Sequence, residues 1–417
     1  MIARRLVVTA ALVLAAPALV AAGEQTGLSL AALEARVGEH PAVRAAAARV
    51  DQARGLARQA GALTNPTVGL VTNELRPREN PSGHVGGFVE QRLPLGGKRA
   101  AARAEGEAGV DRRIAELDLV RVAVLVDIRR AYYGVVMAEE RVRVLTRQRE
   151  LGAESVAVTG QLFNIGLANR SDVLQAEAES ARLGARHAGA VAMRDGAWQR
   201  LAAAAGDASL GPRSLAEPAA PPELELAALR SDLQQTSPAL RVARAQVARE
   251  RTNVAVARTI SRPDLFLRGE VGWNREHTLA APTRPIGLEF GAAVGISLAV
   301  ANRNAGGIAA SLAALRAAEA EEAALALALD ARLADAYADY DSARLMVDAY
   351  RTDVLPRAQQ AYDLYLARYR EMAAAYPDVL VSARMLATMR EEYLDAMEAA
   401  WDAAVRLQGL LVVDGGM

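Results

Sequence analysis

The residue types that most often carry catalysis or hold metals are few in this chain and poorly placed for it. The four histidines, His40, His84, His187 and His277, are scattered, and none has the short spacing to a second ligand that a zinc site uses. There is no cysteine, which removes disulfides, thiolate metal sites and a lipid-modified cysteine at a processing site. Gly96-Gly-Lys-Arg99 matches a phosphate-binding loop only in part. Arg92 stands where the first glycine of GxxxxGK[ST] belongs, and Arg99 where its Ser or Thr belongs. GxSxG and HExxH are both missing. The expectation is therefore no enzyme, no metal centre and no cofactor.

Two aspartates do follow a pattern. Asp172-Val-Leu recurs as Asp378-Val-Leu, each just beyond a short break in a long helical stretch. A carboxylate there accepts hydrogen bonds from the orphan N–H groups of a helix's first turn, so both aspartates are candidate helix caps.

The recurrence is part of a larger one. From Pro41 to Val68 each position has a counterpart 197 residues later without a gap: Pro41/Pro238, Arg44/Arg241, Val50/Val247, Pro66/Pro263. Leu30-Ala-Ala-Leu33 recurs as Leu226-Ala-Ala-Leu229. A unit this long is no solenoid repeat of about 20–50 residues. It predicts two equivalent halves, 23–205 and 224–417, joined by the Pro/Gly-rich stretch 206–223.

Each half reads as helix, two strands, a very long helix and a return helix. Leu117, Val120, Val124, Ile128, Ala131, Val135, Ala138, Val142 and Leu145 follow one another at steps of three and four, an amphipathic stripe. The long helices are expected over 98–165 and 305–369, the second kinked or restarted at Pro356. Return helices are expected over 171–205 and 378–411, the first capped by Ser171 or Asp172, with Pro377 at a first helical position in the second. Residues 1–22, with Arg4 and Arg5 ahead of an apolar run, read as a signal peptide, a signal anchor being the alternative. The formal net charge is zero, so no global field draws nucleic acid, and aromatics are only 4% of an alanine-rich chain, which suits long, closely packed helices.

The strand segments lie in hairpins at 66–95 and 263–300. Leu265, Leu267, Val271 and Trp273, then Leu288, Phe290, Val294 and Ile296, alternate with polar or small residues. Strands of about 10–11 residues are long enough to cross an outer membrane with these side chains facing lipid. Hairpins packed on soluble protein would alternate in the same way. Four strands cannot close a barrel, since the smallest membrane barrels have about eight. A spanning chain must oligomerise, and three copies give twelve strands.

At this point the sequence resembles a known family. His40-Pro41, Asn65-Pro66, Arg92-Leu-Pro-Leu-Gly-Gly-Lys-Arg99, Gly166-Leu followed by Asp172-Val-Leu, and Asn302-Arg-Asn-Ala-Gly-Gly307 are similar to stretches of the TolC-type outer-membrane efflux proteins, most of all their CzcC-like heavy-metal branch. The resemblance spans the whole chain beyond the leader. It implies a mainly α fold in a homotrimer: a twelve-stranded transmembrane β-barrel continued by a periplasmic α-barrel of long antiparallel helices. It implies a bacterial outer-membrane duct, in contact with lipid, that passively exports metal cations or other small toxic compounds. An inner-membrane resistance-nodulation-division pump would drive it through a periplasmic adaptor (membrane fusion) protein.

The resemblance also assigns roles at the helix turns farthest from the strands. Asp172 and Tyr369 match positions that tie a closed gate. The partner arginine falls at Ala374, which leaves Arg170 and Arg370 as candidate replacements. Asp378 matches a lumen-facing acid, and threefold symmetry would make it a ring of carboxylates favouring cations. Gly166, Leu167, Ala168 and Asn169 with Ala373, Ala374, Ala375 and Tyr376 would contact the adaptor. Met372, in place of a second Gly166, and Leu298-Ala299, in place of a proline, depart from the pattern. The alternative function is a periplasmic adaptor or coiled-coil structural protein, but neither needs a duplicated hairpin.

Overall fold

The computed structural model describes residues 27–76, 82–215, 221–278, 281–371, 373 and 375–410. The expected signal peptide lies outside the described residues, as do Met372 and Ala374.

The first half opens with α1 (Leu30–Glu34) and a 3-10 turn over Val37–Glu39. Then follow α2 (Pro41–Ala60), β1 (Thr67–Arg76), β2 (Ser82–Pro94), α3 (Lys98–Asn164) and α4 (Arg170–Ala204). The second half repeats the order with α5 (Leu226–Thr236), α6 (Pro238–Thr259), β3 (Asp264–Thr278), β4 (Ala281–Ile296), α7 (Ala305–Ala349), α8 (Leu355–Arg370) and α9 (Tyr376–Gln408). Both short helices begin at a proline suited to a first turn, and His40 caps α2 by accepting from the Ala42 N–H at 3.2 Å.

With 67 residues, α3 reaches about 100 Å at 1.5 Å per residue. Its stripe explains why it can hold that length. Leu117, Val124, Ile128, Val135 and Leu145 are all buried, alongside Tyr132 and Val136. All but Leu145 meet Val43 and Val50 of α2 and Trp198 and Leu201 of α4 in the larger core, each buried side chain contributing about 1.5–3 kcal/mol. A second core joins Leu329, Leu333 and Tyr340 of α7 to Leu240 of α6 and Leu407 of α9. Trp401 of α9 stacks on Tyr133 of α3 at 3.7 Å, linking the halves.

The short and return helices stack end to end against the long ones. A Cβ on Gly206, just past α4, would lie 2.8 Å from His40 at the head of α2. Ala403, Ala404 and Leu407 at the end of α9 pack with Ala239 and Leu240 at the head of α6.

The second long helix is broken, but not by a simple kink at the proline. A π-helical turn over Tyr350–Val354 separates α7 from α8, and Pro356 lies in the first turn of α8. Proline has no N–H for the helical ladder and its ring crowds the preceding turn, so the chain widens just before it.

The four strands form one antiparallel sheet in the order β1-β2-β3-β4. Strands β3 and β4 have 15 and 16 residues, longer than the 10–11 the alternation suggested. Pairing needs only backbone groups, so it continues past the alternating segment, with His277 opposite Pro285. At its other end β4 stops at Ile296 rather than running to Leu298: the Ser297 N–H still donates to the Asp264 carbonyl at 3.0 Å, but the Asp264 N–H donates to the Ser297 hydroxyl and not to a backbone carbonyl.

Candidate functional site

The register divides the sheet into two chemically different faces. Leu265, Leu267, Val271 and Trp273 on β3 share a face with Ile296, Val294, Phe290 and Leu288 on β4, each directly opposite its partner. Val68 and Leu70 of β1 and Val85 and Val89 of β2 continue the same rows. Leu265 is half-buried, while the others are exposed, Phe290 by 78% and Leu70 by 84%. A contiguous apolar sheet face of this size is not left to water. Among the described residues no helix is long and apolar enough to cross a membrane.

The opposite face is polar. Arg268 pairs with Glu270 at 3.2 Å and lies 4.0 Å over the ring of Phe88. His84 of β2 reaches across β3 to Glu289 of β4, Nδ1 to carboxylate 3.3 Å, and the Asn274 amide donates to the same oxygen at 3.1 Å. That reach crosses Gly272, where an added Cβ would come within 2.1 Å of the imidazole. No group of three or more His, Cys, Asp or Glu is placed to hold a metal ion among the described residues.

Sheet and helices are joined at Asp264, the first residue of β3, which is only 2% exposed. Its carboxylate accepts from Arg92 Nε at 2.9 Å and from Lys98 Nζ at 2.7 Å, and its N–H donates to Ser297 Oγ at 3.0 Å. Arg92 closes β2 and Lys98 opens α3, so one carboxylate ties two strands to the longest helix. The Gly96-Gly97 pair between them turns the chain at φ 66° and 79°, and Arg262 lies over Gly96 and donates to its carbonyl. The stretch from Arg92 to Arg99 that looked partly like a phosphate loop is this clamp. Asp264 is the residue the sequence reading missed. Its signal was an acid opening the alternating segment Pro263–Trp273, but the two cations it meets lie at the end of the other hairpin, 172 and 166 residues away in sequence.

The far ends of α3 and α8 turn alike. Gly166 has φ 77°, its N–H donates to the Phe163 carbonyl at 3.0 Å, and Leu167 N–H donates to the Leu162 carbonyl at 2.8 Å, a Schellman closure. At the other turn Ala373 N–H donates to the Arg368 carbonyl, also at 2.8 Å. Leu167 and Asn169 are exposed and Ala168 half-exposed, with Ala373 and Ala375 exposed across from them. Helix α4 starts one residue earlier than expected, and its cap is Asn169 rather than Ser171 or Asp172. Asp172 sits three residues in and accepts the Asn169 N–H at 3.0 Å, completing a capping box.

The structure brings some of the expected gate residues together and separates others. Tyr369 packs with Val156 against Ala176 and Leu380. Burial pushes its hydroxyl up in pKa, and the charge of Asp172 pushes the same way. Arg370 pairs instead with Glu154 of α3 at 3.5 Å, and Arg170 is exposed. Asp378, in the first turn of α9, is exposed, and its side chain makes no hydrogen bond or ion pair among the described residues.

Above the tip, the return helices are cross-linked by charge. Buried Glu179 of α4 accepts from Arg384 Nε of α9 at 3.0 Å and from Arg182 Nε at 3.1 Å. Burial alone would raise its carboxyl, but the hydrogen bonds and charges of Arg182 and Arg384 outweigh it and the net direction is down. Seven residues farther along both helices, Arg186 of α4 pairs with Glu391 of α9.

Comparison with known proteins places this architecture. The outer membrane efflux protein family model matches residues 33–207 and 229–412, one match in each half. The cobalt-zinc-cadmium resistance protein CzcC of Cupriavidus metallidurans is 26% identical over 392 residues, covering 91% of this chain and 89% of that protein. The outer membrane protein VceC of Vibrio cholerae superposes with a TM-score of 0.73 at 20% identity, over 92% of this chain and 96% of that one. The open-state outer membrane channel MtrE of Neisseria gonorrhoeae superposes with a TM-score of 0.72 at 19% identity, over 92% and 88%.

Proposed function

This chain belongs to the outer membrane efflux protein family, and we propose that three copies of it form an export duct for metal cations. It is an outer-membrane channel component of an efflux system, extending into the periplasm; the trimer, the cargo, the gate and the particular pump are the inference. The adaptor alternative falls with family membership.

The observation that carries the assembly is the sheet. It has an apolar face, a polar face and two unpaired edges, β1 and β4. Open edges and an unsatisfied backbone are not tolerated in lipid, whereas β4 of one copy against β1 of the next closes a ring with no edge. The apolar face then meets lipid and the Arg268, Glu270 and Glu289 face lines the lumen. The clamp at Asp264 continues the barrel into a tube of long helices.

A metal cargo is supported by the likeness to a cobalt-zinc-cadmium resistance protein. Asp378, exposed and without a side-chain partner among the described residues, fits it, because three such carboxylates around an axis attract cations. Tyr369 and Asp172 are the proposed intramolecular ties of the closed tip, with the turns at Gly166 to Asn169 and Ala373 to Tyr376 offered to the adaptor. An inner-membrane resistance-nodulation-division pump would supply the energy. The chain itself is read as a non-catalytic duct.

The test is insertion and conductance. Purified protein in planar bilayers is expected to give cation-selective channels blocked by multivalent cations, and deletion of Pro263 to Leu298 is expected to abolish membrane insertion. A trimer that still resists extraction after that deletion would refute the barrel assignment.

A further inference from the structure

Between the two helix pairs near the tip, α3 with α4 and α8 with α9, lies a cavity of about 110 Å³. Its wall is mostly aliphatic, with Leu151, Leu183, Leu366 and Leu380, and it includes the rings of Tyr362 and Tyr369. An apolar cavity of about 150 Å³ holds benzene; this space is smaller but partly open on one side, so it takes at most a single small ring, part of which stays at the mouth.

One group on the wall is unmatched. Gln148 of α3 lines the cavity and is only 7% exposed, yet among the described residues neither its amide oxygen nor its amide nitrogen has a hydrogen-bond partner. Buried side-chain amides are nearly always bonded, so an unbonded one facing a cavity marks where a ligand's polar atom belongs. The charges on the wall are differently placed. Glu179 is held by Arg384 and Glu154 by Arg370, while Arg390 donates to the Gln359 amide oxygen at 2.6 Å. Two carboxylates and three guanidiniums leave a net positive wall, which opposes a cationic ligand and suits an oxygen of partly negative character.

We propose that this cavity is a binding site for a small, uncharged, ring-sized molecule with one weakly acidic hydroxyl, that is, a simple phenol. The hydroxyl donates to Gln148 Oε1 and accepts from Gln148 Nε2, and the ring lies on the leucines. The site goes beyond the export function and does not depend on it, because its lining comes from four helices of one chain.

The experiment is fluorine NMR of 4-fluorophenol titrated into full-length protein in detergent, with fluorobenzene and 4-fluorobenzylamine as controls. A saturable shift is expected for 4-fluorophenol and none for the amine. Gln148→Leu should weaken 4-fluorophenol at least about tenfold, the effect of two lost hydrogen bonds, without weakening fluorobenzene. Ala383→Phe, which fills the cavity, should abolish both, and Val158→Phe serves the same purpose if Ala383→Phe does not fold. Absence of a saturable shift would mean that the cavity holds water only and would overturn the proposal. So would a shift unchanged in Gln148→Leu or in the filled variant. Loss of conductance in planar bilayers bears on the duct and leaves these binding outcomes untouched.

Discussion

Replacing Asp264 by Asn should loosen the joint between the sheet and the helical tube, and the structure sets the size of the effect. Asparagine keeps the shape and one acceptor oxygen but removes the charge that two cations share. Lys98 is the larger part, because its side chain is 21% exposed and its ammonium lies 2.7 Å from the carboxylate. A hydrogen bond to a charged group in such a setting contributes about 1.5–3 kcal/mol. Arg92 is 56% exposed, so solvent screening leaves it about 0.5–1 kcal/mol. The sum, less what the retained acceptor preserves, is about 2–3 kcal/mol. Lys98→Met should therefore cost more than Arg92→Ala, and the Lys98→Met, Asp264→Asn pair should show coupling of about 1–2 kcal/mol in a double-mutant cycle. Unfolding midpoints followed by circular dichroism, with the detergent resistance of the oligomer alongside, give the ordering. Arg92→Ala costing more than Lys98→Met, or Asp264→Asn costing less than about 0.5 kcal/mol, would refute the reasoning.

Leu267→Arg should cost about 2–4 kcal/mol if it faces the middle of the bilayer, measured as lost insertion into liposomes. Arg268→Leu should cost no more than about 1 kcal/mol, the worth of its pair with Glu270 and its contact with Phe88. Asp378→Ala should weaken block by multivalent cations in planar bilayers at unchanged oligomer yield. Asp172→Ala should cost about 1 kcal/mol as half of a capping box, and Asn169→Ala about as much, the two together less than their sum; full additivity would show that they do not share one cap. Glu179 has a lowered carboxyl pKa when folded, so its stabilisation is complete above the ordinary carboxylate value and is lost as pH falls through the lowered one. Glu179→Gln should flatten that acid limb of a melting curve taken against pH, and an unchanged limb would count against the Arg182 and Arg384 pairing.

The long periodic elements were legible because periodicity survives any tertiary context. The expected helix over 98–165 is Lys98–Asn164, since its stripe from Leu117 to Leu145 has only one face to bury. The alternating β3 and β4 residues do share one face. What escaped was everything decided by contact between distant segments. Nothing adjacent in sequence tells that Asp264 meets Arg92, or that Arg370 turns to Glu154. The π-helical turn over Tyr350–Val354 was legible as a disturbance at Pro356 but not in kind, because removal of one N–H can be absorbed by a bend or by a wider turn. Asn169 was passed over as a cap for its neighbours Ser171 and Asp172, which have similar chemistry, and only backbone angles separate them.

The two charge links between α4 and α9 act as a key. Because the duplicated helices run parallel, Glu179 meets Arg384 and, seven residues on in each helix, Arg186 meets Glu391, with the signs exchanged. Two turns of helix correspond to about 10.5 Å. Sliding α9 by that distance in one direction sets Glu391 against Glu179, and in the other sets Arg384 against Arg186. Two similar helices that would otherwise fit one another at several levels are thus held at one, which sets how far each half of the chain reaches along its partner.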